Sequence, residues 1–147
     1  MSVDQSFREQ NRTSTERIRL LVAHLSDEQL LQPVGAHWTI ATTLIHIAFW
    51  DRRVLDILNR SEQEGTLITP TIDVVVNDFA LPFWAAILPR TAAQLAIDAA
   101  ATLDARLEAC HPALLADLYA RNERWVNRAI HRGQHLDEID RVLSAAR

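Results

Sequence analysis

Lysine does not occur in this chain: all fifteen basic residues are arginine, set against nineteen acids for a net charge of −4. The arginines are dispersed, so the missing lysine reads as compositional bias. The clustered positive field that phosphate backbones require is absent, which argues against nucleic acid as a partner. A lone cysteine, Cys110, rules out an intrachain disulfide and fits a reducing compartment. Three glycines and five prolines leave little turn material, which excludes a fold of many short strands. No apolar run is long enough to cross a bilayer, and the opening "MSVDQSFREQNRTSTERIR" lacks the apolar centre of a signal peptide. A cytoplasmic protein with no membrane partner is expected. The glycine-rich phosphate loop, the GxSxG elbow and the CxxC pair are also missing, which sets aside nucleotide hydrolases, serine hydrolases and zinc ribbons.

What remains is a chain of 147 residues, 48% hydrophobic and rich in alanine and leucine, enough for one domain over residues 1–147 with its own core. A first helix is expected from about Val3 to Leu25, with apolar positions Phe7, Ile18, Leu21, Val22 and Leu25. Ser26 and Gln29 have capping-box spacing and start a short helix that Pro33 and Gly35 stop. Thr39 is placed to cap a long helix, "TIATTLIHIAFWDRRVLDILNR", whose Ile40, Leu44, Ile47, Leu55 and Leu58 share a face. A polar crossover with Gly65 and Pro70 follows. In "VVVNDFALPFWAAIL", Pro82 should kink or restart a helix, and Val74–Val76 leave a short strand open. Thr91 is expected to cap an alanine-rich helix ending near Cys110; Pro112 starts a short one, and Asn122 is expected to cap the last. The fold class is all-α, a four-helix bundle with one long crossover connection.

Near the end, "AIHRGQHLDEI" sets His131 and His135 four residues apart, on one side of a helix and able to hold one metal ion together. Of the other four histidines only His46, in "LIHIAFWD", lies deep inside an expected helix. All three flank their apolar stripes; on the last helix that stripe is read as Val126, Ala129, Ile130, Gly133, Leu136 and Leu143. Should the two helices be neighbours, the rings converge at the edge of the bundle. Three neutral imidazoles suit Zn²⁺, Ni²⁺ or Fe²⁺, and three protein ligands with an open position is the catalytic pattern. The bland alternative is a set of solvated histidines, the common fate of an isolated HxxxH. His24, His37 and His111 read as surface or loop residues. Gly133 is explained by close packing or by clearance for a ligand, with packing the favoured reason.

Asp51 projects into the apolar stripe of its helix, so it needs an arginine, a backbone amide or the N–H of a ligating histidine as partner. Trp38, Trp84 and Trp125 read as core, whereas Trp50, one turn from His46, is a candidate pocket wall. Cys110 and His111 are adjacent, do not face each other and have no orienting third group, which argues against a Cys–His nucleophile.

With "HWTIATTLIHIAFWD" and "NRAIHRGQHLDEIDRVL" in place, the chain resembles the DinB-like superfamily of metal-dependent helical-bundle proteins. That superfamily includes thiol-dependent maleylpyruvate isomerase N-terminal domains and bacillithiol transferases. The resemblance spans nearly the whole chain and implies a divalent metal held by His46, His131 and His135, frequent homodimers, and a low-molecular-weight thiol at the metal. The function expected is a metal-dependent enzyme that transfers such a thiol to a small-molecule substrate or activates water. The alternative is a non-catalytic, stress-related binding module with a structural or vacant metal site.

Overall fold

The computed structural model describes residues 2–147. Among them are seven α-helices and one two-stranded hairpin: α1 Ser6–His24, α2 Asp27–Leu30, β1 Pro33–Val34, β2 Trp38–Thr39, α3 Ile40–Glu64, α4 Val76–Ala85, α5 Pro89–Glu108, α6 Pro112–Arg121 and α7 Ala129–Ala145, with a 3-10 turn at Glu123–Trp125. The protein is thus mostly helical, as its scarcity of glycine suggests. None of these helices is long and apolar enough to cross a membrane.

Local chemistry explains most boundaries. Ser26 accepts from the Gln29 amide while the Gln29 side chain returns the bond, and Thr39 and Thr42 do the same at the head of α3. Gly65, in the left-handed region at φ 71°, closes α3 after Glu64, so the helix runs one turn further than its apolar pattern shows. Two caps differ from expectation. Helix α5 begins at Pro89 rather than Thr91, because a proline in the first turn forfeits only an amide that no helical carbonyl could have received. Asn122 caps the 3-10 turn, and α7 starts only at Ala129. Val74 and Val75 lead into α4 instead of a strand, and α4 continues through Pro82. The hairpin, not anticipated, pairs Pro33 with Thr39 and Val34 with Trp38 around Gly35 at φ 70°.

Helices α1, α3, α5 and α7 do most of the packing: α3 and α1 each lie against both α5 and α7. The apolar core between them is split in two. One cluster, near the hairpin, gathers Ile18, Val22, Leu44, Ile47, Ala96 and Leu136. The other gathers Phe7, Val54, Leu58, Leu103, Leu118 and Val126. A buried polar belt separates them. At its centre the fully buried Arg132 donates through Nε to Asp51 at 2.9 Å and through Nη1 to Asp104 at 2.9 Å and Ser14 at 3.1 Å. Thr15 donates to the second oxygen of Asp104, and Arg128 Nε donates to Asp51 at 2.8 Å. The belt joins all four long helices and balances two carboxylates with two guanidinium groups. It also corrects the expected stripe of α7: Ile130 is 39% exposed, while Arg132 takes the inward position at 0%.

Candidate metal centre

Helix α3 carries His46 near its N-terminal end, where the Thr39–Thr42 cap and the hairpin hold the helix start. Helix α7 faces it and brings His131 and His135 from consecutive turns. The His46 Nε2 lies 3.2 Å from His131 Nε2 and 3.0 Å from His135 Nε2, and the three candidate donor atoms all fall within 4.8 Å of one another. Zinc–nitrogen bonds of about 2.0–2.1 Å at tetrahedral angles set donors about 3.3 Å apart, which the two separations from His46 approach. His46 is buried, whereas His131 and His135 are half-buried.

The atoms behind each ring settle how its nitrogens are used. His46 Nδ1 sits 3.2 Å from Asn77 Oδ1, which also accepts from the Trp50 indole N–H at 2.9 Å. Because an indole nitrogen only donates, oxygen is the amide atom at this point, and the imidazole proton belongs on Nδ1. That leaves the Nε2 lone pair of His46 turned into the cluster, as a ligand requires. Behind His131 stands Arg128, with Nη2 at 3.2 Å from Nδ1. A guanidinium only donates, so this Nδ1 accepts and the ring's proton lies on Nε2; coordination there would release or relocate it. His135 Nδ1 is sealed from solvent without a hydrogen-bond partner, its closest acid being Glu138 at 3.6 Å, beyond bonding reach.

The surroundings favour neutral rings. Burial, then the neighbouring His135, lowers His46 to about 4. Burial, then Arg128, lowers His131 to about 2. Burial also lowers His135, against the opposing pull of Glu138. The rings therefore carry no positive charge at neutral pH; His46 already turns a free Nε2 lone pair into the cluster, whereas His131 has to give up its Nε2 proton to bind through that atom. Aromatic rings complete the wall. Trp38, from β2, packs edge-on against His46 with ring centroids 5.0 Å apart; Trp84 lies at 6.0 Å and Trp50 at 6.4 Å.

All three sequence-predicted ligands therefore come together, and His24, His37 and His111 are exposed, away from them. Asp51 finds its expected arginine partners in Arg128 and Arg132. Sequence reasoning missed Asn77, Arg128 and the contact of Trp38 with His46; only the aromatic just before the α3 cap carried a signal. Cys110 is buried and its thiol is pushed up to about 11, chiefly by burial, in keeping with an unreactive side chain. Close packing, the favoured reason for Gly133, does not hold, because an added Cβ would meet nothing within 4 Å.

Comparison of the chain with curated proteins and with solved structures returns no match. The profile of the DinB superfamily does match, over residues 10–143, and the chain belongs to that superfamily.

Proposed function

We propose that α1, α3, α5 and α7 form a four-helix bundle whose rim binds one divalent ion, Zn²⁺, Ni²⁺ or Fe²⁺, through Nε2 of His46, His131 and His135. The protein is then a metal-dependent enzyme that transfers a low-molecular-weight thiol to a small electrophile or activates water. One observation carries this reading: three imidazole nitrogens from two helices meet within 4.8 Å, and among the described residues no carboxylate or cysteine joins them. A bound ion would supply a Lewis acid that makes a thiol or water nucleophilic near neutral pH. The chain's own part is to hold and orient. Asn77 keeps the proton of His46 on Nδ1, Arg128 fixes the ring of His131, and Trp38 and Trp84 exclude water from the inner side of His46. The half-buried His131 and His135 leave the outer side for a substrate.

Metal analysis of protein purified without a histidine tag tests the site. One equivalent of metal per chain is expected, lost in His46→Ala and in His131→Ala; wild-type protein without metal after reconstitution would end the proposal. Thiol addition to model epoxides, dependent on added metal, tests the chemistry. A second reading draws on the same bridge between α3 and α7: an ion there clips two helices together without turnover. It predicts a melting temperature that falls with chelator while every thiol-transfer assay stays silent. A homodimer belongs to the proposal as well. Val75, at the N-cap of α4, and Phe79 and Phe83 within it repeat every four residues with exposures of 54%, 63% and 74%, an apolar face suited to a second copy. Light scattering should give twice the chain mass, and Phe83→Glu should halve it.

A further inference from the structure

Two helical turns below His46, the same face of α3 presents Arg53, about 10 Å along the axis from the triad, with Trp50 between them. The crossover and the 3-10 turn border an open cavity of about 440 Å³ at this point, lined by Arg53, Thr69, Thr71, Arg121, Asn122 and Trp125 among others. Among the described residues no acidic one lines it, in a chain where acids outnumber arginines. Arg53 Nη2 donates to the Pro70 carbonyl, a neutral acceptor, and its Nη1 is sealed from solvent with no acceptor at all. Asp56, whose charge reaches Arg53, is itself paired with Arg60 at 3.0 Å. Burial accordingly pulls the Arg53 guanidinium down from its ordinary pKa. Every other polar group here can donate: the Thr69 and Thr71 hydroxyls, the exposed Arg121, and the Asn122 amide, whose oxygen is already taken by the Arg124 N–H. A half-buried cation with no direct ion pair, an unmet donor and a ring of further donors describe an acceptor site waiting for an oxyanion.

We propose that this cavity seats the oxyanion group, a carboxylate or a phosphate, of the small molecule whose reacting end approaches the histidine triad. A ligand oxyanion lying against Arg53 and Arg121 compensates both charges, and a small turn of the Arg53 guanidinium gives Nη1 its acceptor. The Trp125 indole offers a flat apolar wall to the carbon skeleton, and the cavity volume suits a compact metabolite. The reach from cavity to triad sets the substrate class: an anionic molecule with its nucleophilic or electrophilic group about 10 Å from its charge. This assignment rests on the metal reading for the reacting end only; the anion seat shares no residue with the triad.

Backbone amide NMR on the full-length, metal-free protein, titrated separately with succinate and with inorganic phosphate, tests it. Saturable shifts confined to residues 69–72 and 121–125 are expected. Saturation by one anion and not the other identifies the group. Arg121→Gln, an exposed position that folding tolerates, should weaken binding about tenfold, and Arg53→Gln should weaken it further. No saturable shift below about 10 mM for either anion, or shifts that Arg121→Gln leaves unchanged, would overturn the proposal. His131→Ala should bind the same anion with unchanged affinity. An anion seat that survives while wild-type protein takes up no metal sinks the metal reading alone. Stoichiometric metal with no anion binding sinks this one alone.

Discussion

Asn77 acts on the triad through a single oxygen. By accepting from both Trp50 and His46 it holds the imidazole proton of His46 away from the cluster, while Trp84 of the same helix packs against that ring. Replacing it with alanine should lower metal affinity about 10–100-fold, as loss of such a partner behind a ligand generally does, while the melting temperature of the metal-free protein barely changes. Competition against a chromophoric chelator measures this, and Asn77→Asp should recover most of the loss. Cys110 is the opposite kind of residue, present and unused. Its pKa of about 11, raised by burial and then by Glu62, leaves roughly a hundredfold less thiolate at pH 8 than an ordinary thiol has. Iodoacetamide should label it correspondingly slowly, with a rate that climbs about tenfold per pH unit up to pH 10. The three histidines were legible because two share a helical period and the third sits mid-helix. Asn77 was not, since nothing in a sequence links a residue on a short helix after a crossover to a ring 31 positions earlier.

At the scale of the element, α3 and α7 differ in how openly they declare themselves. Helix α3 has a threonine cap, five apolar residues on one face and a glycine stop, and its observed course follows them. Helix α7 hides its inward face. Ile130 looks like core and points out; Arg132 looks like surface and is buried, because its partners Asp51 and Asp104 come from helices that hydropathy along α7 cannot register. The hairpin was invisible for another reason: two strands of two residues show no alternation to detect. Gly133 yields a prediction specific to α7. Its backbone is not in the left-handed region and the space around its missing Cβ is open, so nothing offsets the entropic cost of glycine in mid-helix. Gly133→Ala should stabilise the protein by up to about 1 kcal/mol, read as a raised urea midpoint with an unchanged slope.

For the whole molecule, the buried belt decides which helices may face which. Apolar clusters above and below it would tolerate a helix sliding by a turn; the pairs from Arg132 to Asp51 and Asp104, and from Arg128 to Asp51, would not. Since Arg128 also contacts His131, the register that satisfies the belt is the register that closes the triad. Such a belt is a costly way to add stability, because desolvating four charges consumes most of what their attraction returns. Breaking it from one side is worse. Asp51→Ala strands Arg128 and Arg132 in the interior and should cost about 3–5 kcal/mol of unfolding free energy. Replacing all four charges together, Asp51→Leu, Asp104→Leu, Arg128→Met and Arg132→Met, leaves no uncompensated charge, and its urea midpoint should lie closer to wild type than that of the single variant. The quadruple variant should nonetheless bind metal more weakly than the intact chain. Stability can be rebuilt from apolar side chains, but the alignment of α7 with α3, and with it the meeting of His46, His131 and His135, depends on the pairing the belt enforces.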